Sequence, residues 1–196
     1  MTLIALVIKL LSRGPVIFKQ ERLGYLGQPF NCLKFRTMHV DAAQRTHQSH
    51  VKDLIQSGKP MIKFEDLESD PRLIPLAGLL RATGLDELPQ IFNVFRGEMS
   101  LVGPRPCLPY EYDNYLPWQK RRFNSLPGIT GLWQVSGKNK TTFNEMIQLD
   151  ISYLSHRSLW LDLKIIFKTP PVLVLQLFGL LKKHARKTNH GSPIRS

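Results

Sequence analysis

Cysteine is nearly missing from this sequence. The two thiols, Cys32 and Cys107, lie far apart and form no CxxC pair. That excludes a disulfide framework and reads as two reduced thiols in a cytosolic setting. Acidic residues are also few, 15 against 27 lysines and arginines, for a net charge of +12. Such an excess implies an anionic partner: nucleic acid, acidic lipid or a phosphorylated substrate. The aromatic–basic signature of RNP-type RNA binders is lacking, as is zinc-finger spacing, so nucleic acid is set aside as a partner. His47-x-x-His50 is half of a metal site. No third and fourth ligand accompanies it, and it reads as part of a surface helix.

Long hydrophobic runs are missing too. The stretch from Thr2 to Ser12 is mostly apolar but interrupted by Lys9, and a bilayer crossing takes ~20 residues. No small-residue cleavage site follows, which argues against a secretory signal. Val172 to Leu181 is apolar except for Gln176 and Gly179, and is likewise too short to span. The basic run Lys182-Lys183-His184-Ala185-Arg186-Lys187 follows it. An apolar helix with a polybasic end suits an anionic membrane surface; a buried helix with a basic tail is the plainer reading. There is no internal repeat, and 196 residues suffice for one domain with a real core.

What is present centres on Leu80 to Pro106. An adjacent acidic pair, Asp86 and Glu87, is bracketed by Arg81, Arg96 and Arg105. Leu85, Leu88, Phe92 and Phe95 recur at helical spacing and form one apolar face. Asp86, Gln90 and Asn93 recur on another, so polar groups line up beside Asp86. Pro89 is cheap only in a first turn, which places the helix start near Asp86, and Gly97 closes the helix. Free N–H groups and the positive dipole end then sit beside the carboxylates. The plain reading is capping, because Asp and Glu are favoured there. Capping does not require three arginines and a Gly-Pro-Arg-Pro turn. Carboxylates, guanidinium groups and free N–H groups together suit metal-assisted chemistry at phosphate.

Upstream, Val16 to Met38 reads as a hairpin with its turn at Gly24 and Gly27. Lys19 and Arg22 are expected to be solvated, and Lys34 and Arg36 share one strand face. Downstream, Tyr110 to Phe123 is amphipathic. Its Lys120, Arg121 and Arg122 fit a solvated face or, with Trp118 and Phe123, a membrane interface. Pro127-Gly128, Gly131 and Gly137 read as a loop that lets backbone approach a ligand. Trp133 is a core residue or a stacking platform. Phe143 to Tyr153 and Ser158 to Phe167 read as helices, the second stopped by Pro170-Pro171. A disordered tail is expected from Asn189.

Three blocks together resemble a known family. They are Leu85-Asp86-Glu87-Leu88-Pro89-Gln90 continuing through Arg96 to Pro106, Lys34-Phe35-Arg36-Thr37-Met38, and Pro127 to Gly137. In this order and spacing they are similar to the bacterial sugar transferases, the monotopic polyprenyl-phosphate phosphoglycosyl transferases of polysaccharide and glycoconjugate assembly. The chain has Lys138-Asn139 where many relatives carry Arg-Asn, which keeps the charge but loses the bidentate fork.

The resemblance implies an α/β, monotopic membrane-associated fold. Residues 1–13 would be the truncated end of a re-entrant membrane helix, 14–169 the catalytic domain, 170–188 an interfacial segment and 189–196 a tail. It implies an enzyme at the cytoplasmic face of the bacterial plasma membrane. That enzyme moves a sugar-1-phosphate from a UDP-sugar to undecaprenyl phosphate and releases UMP. Asp86 would be the nucleophile, with its pKa lowered by the helix start and arginines. Glu87 would hold Mg²⁺, with Mn²⁺ as a substitute, and Lys34, Arg36, Arg81, Arg105 and Lys138 would hold phosphate. Homo-oligomers are compatible with this reading. Two rivals use the same residues: a metal-dependent diphosphate hydrolase, and a non-catalytic membrane-surface relative.

Overall fold

The computed structural model describes residues 1–39, 72–137 and 141–190, with side chains through Lys182. His47, His50 and Lys138 lie outside the described residues. The architecture mixes helices with two small two-stranded sheets.

Helix α1 (Thr2–Leu11) buries Ile8 and leaves Leu3, Leu6 and Leu10 exposed. Strands β1 (Ile17–Leu23) and β2 (Pro29–Phe35) form the expected antiparallel hairpin. The register sets Phe18 opposite Lys34, Gln20 opposite Cys32 and Arg22 opposite Phe30. Side chains of directly opposed residues lie on one face, so Gln20, Arg22, Cys32 and Lys34 share it. The hairpin and α1 are joined to helix α2 (Ala77–Thr83) by a core of Ile8, Phe35, Ile74, Ala77 and Leu80.

A 3₁₀ helix, Leu85–Gln90, then leads into α3 (Ile91–Phe95). The single helix expected here is therefore two segments meeting just past Pro89, which has no N–H to continue an α ladder. Gly97 closes it as expected, donating to Val94 O at 2.9 Å. Strands β3 (Ser100–Val102) and β4 (Gly128–Thr130) pair in parallel. Gly128 and Gly131 make this close approach of backbones possible. A Cβ on Gly128 would lie 2.1 Å from the Gly103 nitrogen, and one on Gly131 would lie 2.3 Å from the Gly103 oxygen. Only glycine allows backbones so close.

The largest core gathers Cys107, Tyr115, Phe123, Trp133, Phe143, Met146 and Ile147. Elements packed around it include α4 (Pro109–Asp113), the 3₁₀ helix Gln119–Phe123, α5 (Leu132–Val135) and α6 (Phe143–His156). Trp133 belongs to this core, its Nε1 donating to Thr141 Oγ1 at 2.8 Å. Phe123 is buried here too, so it does not serve a membrane interface. Helix α6 opens with a reciprocal cap: Glu145 N donates to Thr142 Oγ1 at 3.2 Å, and Thr142 N to Glu145 Oε2 at 2.7 Å.

The last helix corrects the sequence reading. Helix α7 runs Leu159–His190 without stopping at Pro170-Pro171. Two prolines withhold two ladder donors, at a cost of several kcal/mol in an isolated helix. Tertiary contacts offset it. Thr169 Oγ1, which donates within the helix to Ile165 O at 2.8 Å, lies 2.8 Å from Thr130 Oγ1 of β4. Beyond the prolines, Leu173 and Leu180 lie over Gly84 and Gly78 at the α2 side. Its segment Leu159–Lys182 is thus, by length and composition, long and apolar enough to cross a bilayer, and almost none of it is buried. The interfacial segment begun at 170 starts inside this helix, as does the tail begun at Asn189; residues 191–196 lie outside the described ones.

Candidate active site

The acidic pair follows Gly84, whose φ of 69° ends α2 and starts the 3₁₀ helix. Gly84 is itself the N-cap and no side chain caps this helix, so capping does not explain Asp86. Asp86 is buried at 8% exposure, and Gln90 and Asn93 are buried beside it. The opposite face, Leu85, Leu88, Phe92 and Phe95, is exposed. Asn93 is fully enclosed and works as a clamp. Its Oδ1 accepts from Leu33 N at 3.0 Å, and its Nδ2 donates to Asn31 O at 2.8 Å and to Glu98 Oε2. The clamp fixes β2 against α3 and so brings Lys34 to the acidic pair.

Lys34 Nζ lies 3.1 Å from Glu87 Oε1, and Arg105 Nη1 lies 3.2 Å from the same oxygen. Arg81 donates from Nε and Nη2 to Thr37 Oγ1, at 3.0 and 2.8 Å. Lys34, Arg81 and Arg105 all act electrostatically on Asp86 and favour its ionised form. The balance nevertheless runs opposite to expectation. Burial and the neighbouring Glu87 carboxylate together hold the Asp86 pKa above the ordinary range. Burial also pushes Lys34 down, against the pull of Glu87, whereas Glu87 raises Arg105.

Three arginines take places other than those expected. Arg36 is buried, and its guanidinium donates to the carbonyls of Ser12 (2.9 Å) and Arg13. It fastens the end of α1 to the hairpin, and those bonds are spent on protein carbonyls and not on phosphate. Arg22 is not a solvated strand residue. It donates to Pro106 O at 2.9 Å and to Gln20 Oε1. Arg122 is not on a solvated face; it is buried against Asp150 Oδ2 at 2.6 Å. Tyr153 donates to Asp162 Oδ1 at 2.8 Å, which ties α6 to the start of α7. Sequence reading had one usable signal for Arg22: the hairpin register sets it on the Lys34 face. Arg122 carried no local signal, because its partner lies in another helix.

A cavity of about 660 Å³ lies elsewhere, lined by residues such as Tyr25, Asn124, Ser125, Arg157 and Asp162 and not by Asp86 or Glu87. The acidic pair is therefore marked by its chemistry and not by cavity size. Among the described residues no three His, Cys, Asp or Glu side chains gather into a ligand set. Two adjacent carboxylates still fit Mg²⁺, which takes one or two of them and completes its shell with phosphate oxygens and water. They fit a closed, protein-only metal cage poorly.

This combination of a buried Asp86 with an adjacent half-buried Glu87, flanking cations and an exposed apolar face occurs in a chain that matches the bacterial sugar transferase family over residues 1–176. The chain belongs to that family. It is 46% identical over 163 residues to the galactosyl transferase CpsE of Streptococcus agalactiae, covering 83% of this chain and 35% of the relative. It is 38% identical over 173 residues to the exopolysaccharide production protein ExoY of Rhizobium meliloti, covering 88% of this chain and 76% of that one. It is 41% identical over 180 residues to the UDP-glucose:undecaprenyl-phosphate glucose-1-phosphate transferase of Caulobacter vibrioides, covering 88% and 61%. The chain thus spans about a third of the length of the first of these relatives.

Proposed function

We propose that this protein transfers a sugar-1-phosphate from a UDP-sugar to undecaprenyl phosphate and releases UMP, an initiating step of polysaccharide or glycoconjugate assembly. The observation that carries the reading is the buried Asp86 beside a half-buried Glu87, with Lys34, Arg81 and Arg105 around the pair. A buried carboxylate whose ionised form is poorly solvated is a better nucleophile than a hydrated one, provided cations meet the incoming phosphate. An Asp86 oxygen attacks the phosphorus bearing the sugar. The bond from that phosphorus to the bridging oxygen breaks, and UMP departs with the electron pair. An oxygen of the lipid phosphate then attacks the same phosphorus and releases the Asp86 carboxylate. Arg105 and Lys34 would move from Glu87 to share phosphate oxygens, and Arg81 would approach from Thr37. Lys138 would add a cation from the loop after Gly137. Glu87, with Asp86 beside it, would hold Mg²⁺ or Mn²⁺, whose contribution when bound is to neutralise charge on the diphosphate.

The exposed leucines and phenylalanines of α1, the Leu85–Phe95 segment and α7 support attachment to the cytoplasmic leaflet of the plasma membrane. In this arrangement α1 dips into one leaflet and α7 lies along it. Labelling sealed vesicles from each side tests that topology; modification of α7 ends from opposite faces would replace it with a spanning helix.

Intact-protein mass after brief exposure to UDP-sugar tests the chemistry. The expected result is a gain of one sugar phosphate on the peptide containing Asp86, with up to one UMP released per site. UMP release continuing past one equivalent without lipid would instead indicate a hydrolase. Catalysis by an active preparation through a ternary complex with no adduct would overturn the covalent route.

A further inference from the structure

The Gly103-Pro104-Arg105-Pro106 turn delivers Arg105 to Glu87, yet it lies outside any regular element: β3 ends at Val102 and α4 starts at Pro109. Pro104 and Pro106 have no N–H with which to tie the turn to its neighbours. Its carbonyls are held from outside instead. Gly128 N donates to Pro104 O at 2.9 Å, and Leu23 N to Cys107 O at 2.9 Å. Between them, Arg122 Nη2 donates to Arg105 O at 2.8 Å and Arg22 Nη1 to Pro106 O at 2.9 Å. Four successive carbonyls thus accept from β4, the 3₁₀ helix Gln119–Phe123 and two positions of β1.

The two middle donors are guanidinium groups, and each is braced. Arg122 is 2% exposed, is paired with Asp150 and also donates to Tyr115 Oη at 3.0 Å. Arg22 is held by Gln20 Oε1 at 3.2 and 2.8 Å. Burying an ion pair rarely adds net stability, and its better-attested use is to fix one conformation. Setting Arg22 close to a second cation, Arg105, also opposes burial of its charge. Such an arrangement is poor at stabilising a loop and well suited to aiming one side chain.

We propose that Arg22 and the Arg122–Asp150 pair are positioning residues: they fix the Arg105–Pro106 backbone and so aim the Arg105 guanidinium at the Glu87 site, where it meets Glu87 in the free protein and the diphosphate of the nucleotide sugar when that binds. The catalytic consequence rests on the transferase reading, whereas the structural one rests on the hydrogen bonds alone. Neither arginine touches reacting atoms; both act through Arg105.

The test is a mutant cycle. Arg22→Gln and Asp150→Asn are each made in the wild-type chain and in the Arg105→Ala chain, and UMP release is measured with kcat and KM resolved. In the wild-type background each should lower kcat/KM by ~10–100-fold. In the Arg105→Ala background each should change it by less than about twofold, because the residue they aim is gone. Arg22→Lys, which keeps a donor, should recover most of the loss. Losses that multiply independently in the two backgrounds would overturn the proposal. If Asp150→Asn fails to fold, Arg22→Gln decides the cycle alone. If the wild type releases no UMP, the transferase reading falls and the crystal structure of Arg22→Gln decides the clamp. Arg105 displaced from Glu87 supports it, and Arg105 still at its 3.2 Å contact overturns it.

Discussion

The segment Leu85 to Phe95 and helix α6 are both amphipathic, and they are mounted in opposite senses. Helix α6 buries Phe143, Met146, Ile147 and Tyr153 and turns Asn144, Glu145 and Gln148 outward. The Leu85–Phe95 segment buries Asp86, Gln90 and Asn93 and turns its leucines and phenylalanines outward, with Phe95 82% exposed. One pattern of spacing therefore serves two surroundings. Water takes the polar side of α6. The outer face of the second segment presents leucines and phenylalanines at the surface, while its inner face is a polar site built from carboxylates and cations. An exposed apolar face backed by buried charge is costly in a water-soluble protein, and the proposed function accounts for it by setting a reaction at phosphate against a lipid surface.

The inner face of that segment yields the largest expected effect. Asp86→Asn should lower UMP release by ~10³-fold or more, the scale of losing a nucleophile. It should leave the unfolding midpoint nearly unchanged, since Asp86 caps nothing. An Asn variant with near-normal turnover would return Asp86 to a structural role and remove the contrast between the two faces.

Next comes Glu87→Gln, which should reproduce the effect of chelator on the wild type. Activity of both should fall to background and, for the wild type only, return on adding Mg²⁺ or Mn²⁺. Full turnover of Glu87→Gln in chelator would end the metal assignment.

Truncating the two apolar faces sharpens the comparison directly. Ile147 is fully buried, and Ile147→Ala should cost ~2–5 kcal/mol in denaturant unfolding. Phe95→Ala should cost no more than about 0.5 kcal/mol in the same assay. Its effect should appear as weaker flotation with anionic vesicles, an effect that salt only partly mimics. Equal destabilisation by both changes would mean that Phe95 packs against protein and that the two segments are mounted alike.

The smallest effect concerns the thiols. Burial pushes Cys107 up to about 12 and raises Cys32 as well. A thiol with a raised pKa stays protonated until the pH nears that value, whereas an unfolded cysteine ionises near ~8.5. At pH 9 iodoacetamide should therefore label the unfolded chain within minutes and leave the native protein nearly unmodified. Rapid native labelling of Cys107 would show that the core around Tyr115, Trp133 and Met146 opens readily.

Much of the local structure was legible in the sequence. The hairpin from Val16, the helix start beside the acidic pair, the close at Gly97 and the helix from Phe143 all follow from spacing, proline and glycine. Those are short-range constraints, and they act on residues close in sequence. The acidic pair and its flanking Lys34, Arg81 and Arg105 were also legible, because their chemistry is unusual and they occur in recognisable blocks. The roles of Arg36, Arg22 and Arg122 were not. An arginine beside an apolar residue has the same local pattern whether it meets water, phosphate or a carbonyl. Which of these it meets depends on what the fold sets across from it: Ser12 and Arg13 for Arg36, Pro106 for Arg22, Asp150 and Arg105 for Arg122.

The sequence by itself determined where apolar and polar stripes run, where the carboxylate pair sits and which cations accompany it, because periodicity and side-chain chemistry are properties of neighbouring residues. Tertiary structure alone decided which stripe faces inward, that α7 continues through Pro170-Pro171, and that burial together with the neighbouring Glu87 outweighs three cations in setting the Asp86 pKa. Each of those outcomes is a balance between a local preference and contacts made by residues far away in the chain. In each case the distant contacts prevail: Asn93 clamping β2, Thr130 and α2 supporting α7, and the packed surroundings that remove water from Asp86.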